Sequence, residues 1–89
     1  MHAAYKYWLN PDVSDVAELS LPDGAVILDV GFQHYDLYLW ALIDVDAKNT
    51  ESRKFRVAGT GHPIKDVKGL VHVGTAQAPG LVFHVFEVT

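Results

Sequence analysis

The chain has 89 residues, 49% of them hydrophobic, and a formal net charge of −4. That apolar content excludes a disordered chain, and the absence of cysteine excludes disulfides, thiol chemistry and thiolate metal sites. No stretch approaches the ~20 apolar residues of a membrane-spanning helix, and an acidic protein is a poor partner for duplex nucleic acid, whose binding needs many Lys and Arg contacts to phosphate.

In chain order the dominant period is two, the signature of strands. Strands are expected at 3–9, with Tyr5, Tyr7 and Leu9 on one face, and at 15–21, after the Asn10-Pro11-Asp12 turn. Pro22-Asp23-Gly24 precedes a third strand at 25–33, and His34-Tyr35-Asp36 joins it to a fourth at 37–44. The fourth alternates Leu37, Leu39, Ala41 and Ile43 with Tyr38, Trp40 and Leu42. Both of its faces are apolar, so it is central or lies against another subunit. Further strands are expected at 52–59, 69–77 and 81–88, the last again apolar on both faces. A short helical turn is expected near 62–68, because Pro63 suits a first helical position and Gly69 a stop. The pattern predicts a single all-β domain over 1–89, a small antiparallel sandwich or barrel of about seven strands. Two doubly apolar strands also predict a homo-oligomer, with the final strand as the expected interface.

Charge is distributed unevenly. Residues 1–46 carry Lys6 against eight carboxylates, whereas 48–68 carry six Lys and Arg against Glu51 and Asp66. Within the basic stretch stands Gly59-Thr60-Gly61-His62-Pro63-Ile64. Two glycines around a small hydroxyl let the backbone approach a ligand, and successive N–H groups can form an anion nest. In this reading Arg56, Gly59, Thr60, Gly61 and His62 hold a phosphate, Arg53 and Lys54 add positive field, and Trp40 stacks on a base. The same glycines would equally serve a plain tight turn; the charge asymmetry favours a site.

Other chemistry finds little support. Asp44-Val45-Asp46 lacks the surroundings of a phosphatase nucleophile, and as a calcium loop it has Asn49 where glycine is required. Five histidines show no metal-ligand spacing, although His72 and His84 meet if the last two strands pair. No serine has a nucleophile context. The expectation is a non-enzyme with no cofactor and no metal.

The chain resembles a family of short, uncharacterised proteins found widely in phages and prophages. The likeness rests on Tyr5-Lys6-Tyr7-Trp8, Leu21-Pro22-Asp23-Gly24-Ala25, Leu39-Trp40-Ala41-Leu42-Ile43-Asp44, Phe55-Arg56-Val57-Ala58 leading into Gly59-Thr60-Gly61-His62-Pro63-Ile64, Val73-Gly74-Thr75, and Leu81-Val82-Phe83-His84-Val85-Phe86-Glu87. The resemblance implies a phage context and a protein acting in the host-cell cytoplasm. By analogy with other small phage proteins, the expected function is sequestration of a phosphorylated, nucleotide-like immune signal. The rival expectations are an inhibitor or adaptor of a host protein and a minor structural component of the phage. Phosphodiesterase chemistry through His62 and His84 is a further alternative.

Overall fold

The computed structural model describes residues 1–89. The alternation resolves into seven strands: β1 (His2–Trp8), β2 (Val16–Pro22), β3 (Val26–Gln33), β4 (Asp36–Asp44), β5 (Thr50–Gly59), β6 (Leu70–Ala78) and β7 (Leu81–Val88). They form two antiparallel sheets, one in the order β1-β4-β3 and the other in the order β2-β5-β7-β6. The all-β expectation holds, and the layers form a sandwich. No helix is long and apolar enough to cross a membrane.

The inner faces meet in a wholly apolar core. Leu39, Ala41 and Ile43 of β4 pack toward Phe55 and Val57 of β5, with Leu9, Leu21 and Val85 closing around them. No polar side chain is buried. Along one side the sheets come edge to edge, β3 beside β6, and a Cβ built on Gly74 would stand 2.6 Å from the Val30 Cγ2. Glycine is required there because any side chain would push the two edges apart.

The two doubly apolar strands are both central, as their composition demands, but their outer faces differ. β5 and β6 both pair antiparallel with β7, so they run parallel to each other and the 60–69 link must return along the sheet. It crosses the outside of β7, fastened by the outward Arg56, whose Nη1 donates to the carbonyls of Lys65 and Asp66. The outer side of the final strand is thus covered in part from within the chain, with Val82 and Val88 left exposed at its ends. The outer side of β4, carrying Tyr38, Trp40 and Leu42, has no second layer over it.

The helical turn expected near 62–68 is absent. The return path runs from the level of Phe83 to that of Val88 and sideways across one strand, roughly 20 Å in all. Extended chain covers that distance in about six or seven residues, so the link has no need of a compact turn. Asp66, at φ +53°, also interrupts any helical run.

Between β1 and β2 the chain is organised by Asp12. Its Oδ1 accepts the Ser14 hydroxyl at 2.6 Å, the Ser14 N–H at 2.8 Å and the Val16 N–H at 3.2 Å. These bonds hold the Asp12 carboxyl below the usual carboxylate range, the Ser14 hydroxyl contributing most. A pKa lower in the folded than in the unfolded chain stabilises the fold above the unfolded value, and that contribution is lost as pH falls from about 4 through the lower folded value. Asp12→Asn keeps an acceptor but does not titrate. It should flatten the acid limb of the stability–pH curve measured by urea unfolding, and an unchanged limb would show that Asp12 does not contribute to it.

Candidate functional site

One end of the sandwich is open. Three connections frame the opening, and each is held by backbone hydrogen bonds to the sheets. The β1–β2 connection is fixed where the Leu9 N–H donates to the Leu37 carbonyl and the Val57 N–H to the Asp15 carbonyl, both at 2.9 Å. The β3–β4 hairpin turns in two residues, His34 and Tyr35. The start of the 60–69 link folds back so that the His62 N–H donates to the Gly59 carbonyl at 3.0 Å. Between them lies a cavity of about 420 Å³, walled by Trp8, Phe32, Tyr35 and Phe83, with His62, Asp15 and Asp36 as its ionisable groups. The rings of Phe32 and Phe83 meet at 5.6 Å, joining the two sheets beneath the opening.

His62 is the hinge of the site. A Cβ on Gly59 would stand 3.0 Å from the His62 Nδ1, so glycine at 59 is what lets the imidazole lie there. On the other side of His62 is a shallower hollow of about 340 Å³, bordered by Gly59, Thr60, Gly80 and Val82. Gly61 and Gly80 both adopt positive φ, +84° and +78°, and shape its two turns. Two of the N–H groups expected to form an anion nest are already engaged. That of Thr60 donates to the Val82 carbonyl at 3.3 Å and that of His62 to Gly59.

A chain of side-chain hydrogen bonds leads from this hollow over the outer face. Thr60 Oγ1 lies 2.7 Å from His84 Nε2, while Thr75 Oγ1 lies 3.1 Å from both His84 Nδ1 and His72 Nε2. His72 and His84 therefore do meet, as pairing of the last two strands requires, but through the hydroxyl of Thr75. His72 also sets its ring edge-on against Phe86 at 5.5 Å.

The expected site residues separate into four places. Gly59, Thr60, Gly61 and His62 stay together at the opening. Arg56 and Lys54 face outward from β5, Arg56 holding the link and Lys54 standing opposite Glu18. Arg53 points inward at the far end, where it forms an ion pair with Glu87. Trp40 lies on the outer face of the other sheet, 6.3 Å from Tyr38. In exchange the fold brings up Phe32, Phe83, Asp15 and Asp36, which no local pattern marks.

Electrostatics divide the opening. Asp15 and Asp36 make the aromatic cavity unfavourable for a phosphate but good acceptors for N–H groups. The hollow beyond His62 has no carboxylate on its walls.

The protein is thus a two-layer antiparallel β-sandwich with an aromatic opening at one end. The chain belongs to a domain family of unknown function, DUF7352, whose model matches residues 1–89. No curated protein and no solved structure matches it.

Proposed function

We propose that the protein binds a small nucleotide-like ligand without turning it over. The base enters the cavity among Trp8, Phe32, Tyr35 and Phe83, its N–H groups directed to Asp15 or Asp36. The phosphate lies past His62 in the hollow beside Thr60, away from the carboxylates. The observation that carries this reading is the adjacency of an aromatic, carboxylate-bearing cavity and a carboxylate-free hollow on either side of one histidine. Ring stacking supplies affinity for any base, and carboxylates select among bases by their donors. Arg56, Arg53, Lys54 and Trp40 take no direct part, since each is placed elsewhere. In the phage context that the sequence resemblance implies, such a module acts by sequestration, and a cyclic nucleotide immune signal is the ligand of choice to test.

Thermal unfolding of the protein against cyclic di- and trinucleotides, cyclic ADP-ribose variants and mononucleotides is the test. A ligand present at a hundredfold excess over its Kd adds about 2.7 kcal/mol and raises the melting temperature by many degrees. The rise should be confined to one ligand class, the ligand should be recovered intact, and His62→Ala should reduce the shift. No rise with any member, or a rise indifferent to His62, defeats the reading.

A further inference from the structure

The outer faces of the two sheets have opposite characters. That of the four-stranded sheet is polar over β2 and β5, with Glu18, Ser20, Ser52 and Lys54 exposed, and the 60–69 link lies across part of its apolar β7 side. That of the three-stranded sheet is aromatic, its central Tyr38, Trp40 and Leu42 half-buried among their neighbours. Trp8 and Val26 are 54% and 55% exposed there, and nothing in the chain covers β4. The strand register sets this face in rows: Ala4, Leu42 and Val26; Lys6, Trp40 and Asp29; Trp8, Tyr38 and Gly31, in each case from β1 across β4 to β3.

From these rows we infer that the face is the docking surface for a second copy of the same chain, about a twofold axis running along β4. Such an axis lays β1 of each copy over β3 of the other and keeps every row opposite itself. Lys6 then faces Asp29 of the second copy, twice per dimer. Ala4 faces Val26, small against large. Trp8 faces Gly31, over which the second copy's own Trp40 ring is laid, since a Cβ on Gly31 would stand 3.5 Å from the Trp40 Cζ3. Ring therefore stacks on ring where glycine leaves the room. A twofold axis across the strands would instead stack β1 on β1 and bring Lys6 toward Lys6, so the charges choose the first arrangement.

The groups needed for the cross pair have spare capacity. Lys6 Nζ lies 4.5 Å from the centre of the Tyr38 ring and donates to Gln33 Oε1 at 2.8 Å, leaving two of its three donors. Asp29 accepts the Val30 N–H through Oδ1 alone, leaving Oδ2.

Sedimentation equilibrium on the full chain tests this directly. The wild type should be dimeric, and Lys6→Asp or Asp29→Lys alone should weaken association by about tenfold or more, because each sets like charges together twice. Both side chains are exposed, so circular dichroism should show both variants folded. An equimolar mixture of the two variants should recover association close to that of the wild type, since in the mixed pair both contacts join opposite charges. A wild type that stays monomeric at the highest attainable concentration overturns the inference. So does a mixture that associates no better than either variant alone.

Discussion

Replacing Glu87 with alanine is expected to lower the free energy of unfolding by about 2 kcal/mol, between the scale of a surface ion pair and that of breaking a buried one by removing one partner. Arg53 holds Glu87 in a two-point fork, Nε to Oε2 at 2.6 Å and Nη2 to Oε1 at 2.8 Å, and its Nη1 donates to the Ala25 carbonyl. Both side chains are only 17% exposed. The Glu87 hydrogen bonds push the Arg53 pKa up, so the guanidinium stays charged at every pH at which the protein folds. Removing the carboxylate leaves a charge with few routes to water, and Glu51 at 3.7 Å replaces only part of what is lost. The same contacts link β5, β7 and the entry to β3, pinning one sheet to the other at the end opposite the aromatic opening. The pair as a whole contributes less than its breakage costs, because both ions are partly desolvated. Arg53→Met with Glu87→Leu should therefore recover most of the stability lost in Glu87→Ala. Urea unfolding of both single variants and the double variant gives the coupling directly. A loss below about 0.5 kcal/mol for Glu87→Ala would mean the fork is solvated like a surface pair.

That pair also marks where sequence reading ends. Alternation of Leu37, Leu39, Ala41 and Ile43 with Tyr38, Trp40 and Leu42 placed β4 and its two apolar faces, because period two survives whatever the neighbours are. Thr50 and Glu51 open β5 without any apolar signal, since they pair only with Pro22 and Leu21 at the sheet's edge. Arg53 lies in a basic stretch and reads as available for an anion. Its partner is far along the chain, and only the strand order β5-β7 brings the two together. The path of the 60–69 link is likewise hidden, since the need to cross β7 is invisible until β6 is known to lie beyond it. Gly59, Thr60, Gly61 and His62 were legible as a unit because a turn is local. The cavity they border was not, since Asp15, the Tyr35-Asp36 pair and Phe83 converge from three separate segments.

The β3–β4 hairpin offers the second large effect, of opposite sign. His34 and Tyr35 both adopt positive φ, 51° and 68°, in a two-residue connection. Such turns favour Asn-Gly, and non-glycine residues held there carry strain of order 1 kcal/mol each. Tyr35 is 71% exposed, so its ring recovers little of that cost by burial. The His34→Asn, Tyr35→Gly variant should accordingly be more stable by about 1–2 kcal/mol, the added freedom of glycine in the unfolded chain offsetting part of the relief. The ring does line the aromatic cavity, and a strained position retained for its side chain points to use of that side chain. His34→Asn alone should raise stability and leave binding of the proposed nucleotide ligand intact, whereas Tyr35→Gly should raise stability and weaken that binding by tenfold or more. Urea unfolding with and without ligand separates the two. Should Tyr35→Gly stabilise the fold with binding unchanged, the ring has no part in holding the base; should it destabilise, the ring packs in a way that its exposure conceals. Strain relieved together with affinity lost would tie the cost of this turn to the ligand it serves.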